Sequence, residues 1–353
     1  MKILFLIPYP LHSAASQRFR FEQYLEFVKE EGHAIEIRSF IEFATWEKLY
    51  SEGNALLKIL GVLGGYIKRC IHLKQAISSD IVFIHREAAP LGPPVFEWMI
   101  SKILQKKIIY DFDDAIWIPN TSLENSKVSK LKWHSKVDSI CKWSWRISCG
   151  NTYLAEYAKQ FNRNVVLNPT TIDQRYHAPG KTNESKPLTI GWTGTHSTLK
   201  YLEAVIPIIS QLEGNYDFKF RVISDKAPEF ELESMEFVKW RLESEIDDLN
   251  DIDIGLMPLP DDPWSKGKCG FKALQYMALE IPALVSPVGI NKEIVEDAIQ
   301  GYHCSTSQDW KNSIEKLLVS EPLRKKMGQA GRKKVIEGYS VKSNTQNFLS
   351  LFD

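Results

Sequence analysis

The sequence predicts an α/β protein with two doubly wound, Rossmann-like domains, and three observations support this prediction. Short, nearly continuous apolar runs alternate with helix-length segments, as in parallel strands that are covered by helices on both faces. The alternation stops at a stretch rich in Asn, Pro, Gly, Ser and Thr, NPTTIDQRYHAPGKTNESKP, and then begins again. The chain has 353 residues, which exceeds the usual domain size of roughly 100–200 residues.

Six strands are predicted on each side of this linker. Those of the first half are KILFLIP, AIEIRSF, DIVFIH, KKIIYDF, WRISCG and NVVLNP. Those of the second half are LTIGWTG, FKFRVISD, EFVKW, DIDIGLMPL, PALVSPVG and GYHCS. The last residues, SVKSNTQNFLSLFD, predict an amphipathic helix with Phe348, Leu351 and Phe352 on one side. We therefore expect domains at 1–168 and 169–335, followed by a C-terminal helical segment at 336–353.

Composition narrows the class of protein. Hydrophobic residues make up 44% and charged residues 25%, which is typical of soluble globular proteins, and the formal net charge is zero. The five cysteines are scattered without metal-ligand spacing, which favours a reducing compartment. The N-terminus MKILFLIPYP is interrupted by Pro8 and Pro10 and is expected to be a strand, not a signal peptide. We expect a cytoplasmic protein without a nucleic-acid partner.

Three carboxylates lie close together where the fourth strand ends, in YDFDDAIW. Ionised Asp side chains repel one another and are costly to desolvate, so Asp111, Asp113 and Asp114 indicate a function or a charge partner. In an extended chain Asp111 and Asp113 face one way and Asp114 faces the other. The carboxylates either cap the next segment or point into a ligand site at the carboxyl end of the sheet. A third interpretation is that the Asp-x-Asp pair binds a metal ion.

The stretch KGKCGFKALQYMALEIPALVSPVG predicts a helix that begins at Gly270. A helix N-terminus combined with Lys266, Lys268 and Lys272 is a suitable cradle for a diphosphate. An ordinary crossover helix with solvated lysines is the alternative.

The stretch LTIGWTGTHSTLKYLEAV passes from a strand through a Gly-x-x-Gly turn into a helix start rich in Thr and Ser. Such a turn offers backbone N–H groups and hydroxyls to a phosphate, and Lys200 follows about one turn later. A purely structural loop between strand and helix is the alternative.

The stretch ALLKILGVLGGYIKRCIHLKQAI combines apolar residues with Lys58, Lys68, Arg69 and Lys74. A helix of this composition either lies in a membrane interface or packs on its own sheet. Peripheral contact with the inner face of the cytoplasmic membrane therefore stays an open alternative.

Several of these segments carry a resemblance to a known family: MKILFLIPYP, DIVFIH, YDFDDAIW, GWTGTHSTLKYL and above all GKCGFKALQYMALEIPALVSPVGINKEIV. They look like the retaining GT-B glycosyltransferases of family four, specifically bacterial surface-polysaccharide members. The resemblance covers nearly the whole chain. It implies two Rossmann-like domains facing a cleft, with a C-terminal helix crossing back to the first domain. It also implies retaining transfer of a sugar from a nucleotide-sugar donor to a glycan or lipid-linked acceptor, without a metal or other cofactor.

Family roles carry over only where residues match. The family has an Arg and a Lys on the donor diphosphate, and here Thr195 and Lys200 stand at those positions. The family also has two glutamates, and the second of them binds the ribose. Here Gly267 replaces the first and Gln275 replaces the second. At the end of the fourth strand the family has a His followed by an Asp, and the His lies near the transferred sugar. Asp113 and Asp114 stand at these two positions here.

The resemblance thus assigns catalytic roles to Asp113, Asp114 and Lys200. It assigns donor binding to Gly194, Thr195, Lys200, Lys268, Gly270, Phe271, Lys272 and Gln275. Two other functions remain open: a nonhydrolysing nucleotide-sugar epimerase, which shares the two-domain fold, and a catalytically silent nucleotide-sugar-binding subunit, which would explain the replaced Arg and Glu.

Overall fold

A computed structural model of the chain describes residues 1–49, 55–119, 131–180 and 187–353. The chain divides into two compact units: unit 1 comprises Met1–Thr170 with Asn344–Asp353, and unit 2 comprises Thr171–Ser343. Residues 181–186 of the predicted linker lie outside the described residues. Each apolar run that was predicted to be a strand contains one strand of the structure, within the described part of the chain. The predicted α/β fold class is therefore confirmed.

Unit 1 is built on a six-stranded parallel sheet in the order β2-β1-β3-β4-β5-β6, counted over its described residues. The strands are β1 (Lys2–Ile7), β2 (Ala34–Ser39), β3 (Ile81–His85), β4 (Lys107–Phe112), β5 (Arg146–Cys149) and β6 (Val165–Leu167). The strand order reverses between β1 and β3, and an open parallel sheet binds ligands at the carboxyl edge beside such a reversal.

Helices cover this sheet. They are α1 (Ala15–Arg18), α2 (Leu25–Glu30), α3 (Phe43–Leu49), α4 (Ala55–Ile77), α5 (Val95–Trp98), α6 (Lys136–Trp143) and α7 (Thr152–Lys159), with shorter turns at Glu22–Tyr24 and Met99–Ile103. Strands β3 and β4 are buried on both faces, except for Lys107 at the start of β4, which is why their sequences are continuously apolar.

Unit 2 is built on a second six-stranded parallel sheet, in the order β12-β11-β10-β7-β8-β9 over its described residues. The strands are β7 (Leu188–Thr193), β8 (Phe218–Ser224), β9 (Met235–Lys239), β10 (Ile254–Met257), β11 (Ala283–Val285) and β12 (Gly301–His303). Here the order reverses between β7 and β10, and the segments that follow these two strands are those with the predicted phosphate contacts.

The helices of unit 2 are α8 (Ile206–Glu213), α9 (Glu245–Asn250), α10 (Pro263–Lys266), α11 (Phe271–Ala278), α12 (Asn291–Ile294), α13 (Ser307–Val319) and α14 (Glu321–Lys334), with turns at His196–Ala204 and Val335–Tyr339. A final helix, α15 (Val341–Leu349), and a turn at Ser350–Phe352 complete the chain. Phe348 stacks on Tyr24 of unit 1 with ring centroids 4.4 Å apart. Among the described residues, no helix is long and apolar enough to cross a bilayer.

Candidate functional site

Asp111 lies in the interior of unit 1, at the carboxyl end of β4. Its carboxylate accepts hydrogen bonds from Arg20, from His85 Nδ1 at 2.8 Å and from Ser148 Oγ at 2.6 Å. Burial by itself raises the pKa of Asp111, but the charge of Arg20 and the hydrogen bond and charge of His85 outweigh it and hold this pKa well below its ordinary range. Asp111 is therefore an ionised structural anchor between three neighbouring segments.

Asp113 and Asp114 both contact one guanidinium group, that of Arg86. Arg86 Nε donates to Asp113 Oδ1 and Arg86 Nη2 donates to Asp114 Oδ2, each at 2.7 Å. The expectation that Asp113 and Asp114 face opposite ways is wrong, because both carboxylates reach the same guanidinium. Strand β4 ends at Phe112, so the alternation of side chains no longer applies beyond it.

The position of Arg86 is fixed by its backbone. Its φ of 58° lies in the left-handed region, which is uncommon for a residue with a side chain. Its N–H donates to the carbonyl of Asp111 at 2.7 Å, and its own carbonyl accepts from the Tyr110 hydroxyl at 2.7 Å. Burial lowers the pKa of Arg86, but the charges of Asp113 and Asp114 more than offset this and raise it well above its ordinary value. The strained backbone thus holds a permanent cation between two carboxylates.

Tyr9 was not among the residues predicted from the sequence, yet it lies in the same electrostatic environment. Burial raises the pKa of its hydroxyl, and the charges of Arg86, Glu87 and Asp113 also act on it. The segment of Tyr9 is held by Gln17, which exchanges hydrogen bonds with the Tyr9 backbone at 3.0 and 3.1 Å. The only sequence signal was its position directly after the first strand, where an α/β sheet presents ligand contacts.

In unit 2, the turn after β7 is formed by Gly194 and Thr195. A Cβ at position 194 would lie 2.5 Å from the Trp192 ring, so the close approach of backbone to ring requires glycine. The exposed Thr195 begins the following turn, and its hydroxyl lies 2.9 Å from that of Ser197. This turn presents polar groups at the carboxyl edge of the second sheet.

Helix α11 begins directly after Gly270, as predicted. Gly270 has a φ of 68°, a conformation that favours glycine, and a Cβ there would lie 2.1 Å from Ile294 Cδ1, so the tip of that side chain would have to move. Phe271 and Lys272, both half-buried, form the first turn of the helix. They stand at the N-terminus of α11, the end of a helix that favours anions.

The Gly194 turn and the start of α11 meet at Trp192. Lys272 Nζ lies 5.4 Å from the centre of the Trp192 ring, the same ring that Gly194 approaches. Tyr276 of α11 ties the two segments together, because its hydroxyl oxygen accepts from the Thr193 N–H at 3.1 Å. Sequence reasoning missed Trp192, which lies within the strand and gave no signal of its own.

The other predicted donor-binding residues lie elsewhere in unit 2. Lys200 is exposed, with Nζ 5.5 Å from the centre of the Tyr201 ring, and Lys268 Nζ lies 5.0 Å from that of Trp264. Lys266 pairs with Asp261 at 3.1 Å. Gln275 is buried on α11, with Nε2 3.4 Å from His177 Nε2.

The predicted site residues therefore fall into two groups, Asp113 and Asp114 in unit 1 and the remainder in unit 2. In the described ranges, no group of three or more His, Cys, Asp or Glu side chains is arranged to hold a metal ion.

Solved glycosyltransferases resemble this chain over its whole length. A glycosyltransferase from Rickettsia africae has a TM-score of 0.70 and 15% identity, covering 99% of this chain and 97% of its own. HepE of Anabaena in complex with UDP-glucose has a TM-score of 0.68 and 14% identity, covering 100% and 99%. The lipopolysaccharide outer core galactosyltransferase WaaB has a TM-score of 0.62 and 11% identity, covering 100% and 99%. The fold is therefore the GT-B fold of glycosyltransferases.

Residues 191–334 match the family model described as glycosyl transferases group 1. The matched range includes the Gly194 turn and α11. No curated protein sequence matches the chain significantly. The family match in unit 2 and the full-length fold together make this protein an enzyme, a glycosyltransferase.

Proposed function

We propose that this glycosyltransferase moves a sugar from a nucleotide-sugar donor to a glycan or lipid-linked acceptor with retention of configuration, as a family-four enzyme of bacterial surface-polysaccharide biosynthesis in the cytoplasm. The observation that carries the donor assignment is the meeting of the Gly194 turn and the start of α11 at Trp192. Two neighbours support the proposal: HepE is solved with UDP and with UDP-glucose, and WaaB is a lipopolysaccharide galactosyltransferase.

Among the lysines of this region, we assign Lys272 to the donor diphosphate. It lies beside the Gly194 turn and on the first turn of α11, whereas Lys266 is paired with Asp261 and Lys268 lies over Trp264. Negative charge develops on the departing nucleoside diphosphate as the glycosidic bond breaks. A lysine and backbone N–H groups already oriented toward that charge lower the barrier without reorganising.

The remaining donor roles follow the family resemblance. Lys200 provides a second cation for the diphosphate, and Thr195 provides a hydroxyl in place of the family's Arg. Gln275 contacts the ribose hydroxyls, with an amide in place of a carboxylate. Lysines and a helix N-terminus perform the task that a metal ion performs elsewhere, so we propose that donor binding needs no metal.

In unit 1 we propose that Asp113 accepts a hydrogen bond from a reacting sugar hydroxyl, with Asp114 beside it. The guanidinium of Arg86 pairs with both carboxylates and offsets part of their combined charge. The side chains of Asp113 and Asp114 are 13% and 14% exposed.

The donor assignment is tested by calorimetric titration of UDP, UDP-glucose and other nucleotide sugars in the presence of EDTA. Lys272→Ala should weaken binding of the preferred nucleoside diphosphate about 10- to 150-fold, because it removes a charge-assisted hydrogen bond. The exposed Lys200→Ala variant should weaken it in the same direction. Lys266→Ala, which removes a lysine already paired with Asp261, is the matched control and should change affinity by no more than about twofold.

Unchanged affinity in Lys272→Ala, or a loss of binding in EDTA that Mn²⁺ restores, contradicts this assignment. Sugar transfer is then measured with membrane extract as the source of acceptor. Consumption of the nucleotide sugar without acceptor points to an epimerase, and binding without consumption points to a silent subunit. The anomeric configuration of the product, read by NMR, tests retention.

A further inference from the structure

His196 and Asp225 form a hydrogen-bonded pair at the carboxyl edge of the second sheet. Asp225 Oδ1 accepts from the backbone N–H of His196, and Asp225 Oδ2 accepts from its ring Nδ1, each at 2.6 Å. His196 is the first residue of the turn after β7, and Asp225 directly follows β8, the neighbouring strand. The Gly194 N–H also donates to the carbonyl of Ile223 at 3.0 Å. The turn with the proposed phosphate contacts is therefore joined to the end of β8 on both sides of Thr195.

Asp225 fixes the orientation of the His196 ring. Burial by itself raises the pKa of Asp225, but the hydrogen bonds from the ring and the backbone of His196 outweigh it and hold this pKa below its ordinary value of 3.8. Since an ionised carboxylate can only accept, Nδ1 of the ring carries a proton. The other ring nitrogen, Nε2, has no hydrogen-bond partner among the described residues, and 34% of the side chain is exposed. The pair thus leaves Nε2 accessible to a ligand.

His196 lies beside the position to which the family resemblance assigns a cation. Thr195 stands there and brings a hydroxyl, which lies 2.9 Å from that of Ser197. Lys272 approaches the Trp192 ring from α11, which follows β10, and β10 and β8 lie on opposite sides of β7 in the sheet. A protonated His196 would therefore supply positive charge on the β8 side of the turn, opposite the side of Lys272.

Only one protonation state of His196 suits a phosphate. In the neutral ring Nδ1 carries the proton that Asp225 accepts, so Nε2 presents a lone pair, and an ionised phosphate has no proton to donate to it. In the protonated ring both nitrogens donate, and a hydrogen bond between two charged groups is the stronger kind. In the described part of unit 2, Asp225 is the charged residue in contact with the ring. Lys200 and Lys226, which follow His196 and Asp225 in the chain, are exposed.

We propose that His196, protonated and oriented by Asp225, donates a hydrogen bond from Nε2 to the diphosphate of the nucleotide sugar. This inference rests on the proposed function, because it adds a binding residue and a pH dependence to the same donor site. Affinity for the donor should fall as the pH rises, since the ring loses the proton that it donates. An arginine in this turn would give no such dependence, because a guanidinium stays charged.

The first measurement is calorimetric titration of the wild type at about pH 6 and about pH 8.5, the range in which imidazoles titrate. The probe is the nucleotide sugar that binds best at about pH 6. Its phosphates stay fully ionised over this range, whereas the terminal phosphate of a free nucleoside diphosphate titrates near the acid end. Lysines ordinarily keep their charge over the same range. Wild-type affinity should fall about five- to 50-fold from the lower to the higher pH.

His196→Asn separates the charge of the ring from the fold of the turn. The Asn amide can still donate to Asp225 from close to the position of Nδ1, but no group replaces Nε2. The variant should bind the nucleotide sugar about five- to 50-fold more weakly than the wild type at the lower pH and within about twofold of it at the higher pH. His33→Asn removes a half-buried histidine directly before β2 of unit 1 and is the matched control. It should keep the affinity and the pH dependence of the wild type.

Wild-type affinity that is the same at both pH values overturns the proposal, and so does a His196→Asn variant with the pH dependence of the wild type. A variant that loses the same factor at both pH values also overturns it and assigns His196 to the shape of the turn. If no nucleotide sugar binds at either pH, the proposed function fails together with this inference. Donor binding that depends on Lys272 but not on His196 refutes this inference alone.

Discussion

Asp113→Asn changes one of the two carboxylates that share Arg86. Each carboxylate lies 2.7 Å from a guanidinium nitrogen, and the side chains of Asp113 and Asp114 are almost equally exposed. A hydrogen bond to a charged group contributes about 1.5–3 kcal/mol and a neutral one about 0.5–1.5 kcal/mol. Since the amide oxygen still accepts from Arg86, we expect the free energy of unfolding to fall by about 1–2 kcal/mol. For a unit of this size that corresponds to a Tm lower by about 2–8 °C.

The effect on turnover should be much larger if Asp113 acts on the reacting sugars. We expect turnover to fall about 100-fold or more, with donor affinity unchanged, because the lost charge matters in the transition state. The assay measures Tm, donor affinity and turnover on one preparation. Asp114→Asn is the matched control, since it removes the same charge at the same distance from Arg86 and should cost the same stability. Wild-type turnover in a folded Asp113→Asn protein refutes the reasoning.

Two further predictions concern the anchors of the two units. The carboxylate of Asp111, whose pKa lies below its ordinary value of 3.8, stabilises unit 1 above that pH, and this stability should be lost as the pH falls further. In urea unfolding at neutral pH, Asp111→Asn should lower the unfolding free energy by about 3–5 kcal/mol, because it leaves Arg20 buried without this charge partner. The variant should also lose less stability than the wild type as the pH falls below 3.8. An unchanged dependence of stability on acid pH would contradict this role. Gly270→Ala should destabilise unit 2 by about 1–3 kcal/mol and weaken donor binding, because of its positive φ and the clash with Ile294. Gly214→Ala, at a φ of −71° with open space around it, should be neutral within about 0.5 kcal/mol, and equal effects of the two variants would contradict the argument.

The sequence by itself determined the strands, the fold class and the two turns that matter. Each strand of a doubly covered parallel sheet must be apolar along its whole length, so the runs are visible without any tertiary information. Gly270 was visible as a helix start for a similar local reason, because a left-handed residue before a helix favours glycine. The strands and the helix start depend on residues that are neighbours in sequence, so the local sequence pattern predicts them directly.

Only the tertiary structure decided which side chains meet. The sequence offered Lys266, Lys268 and Lys272 for the diphosphate, and the neighbouring positions of β7 and β10 bring Lys272 over Trp192, the ring that Gly194 approaches. It left the charge partner of Asp113 and Asp114 open, and the left-handed backbone of Arg86 brings one guanidinium to both. The apolar residues of α4 are the same in the sequence whether they are covered or exposed. Contacts between residues distant in sequence depend on strand order and burial, which no local pattern contains.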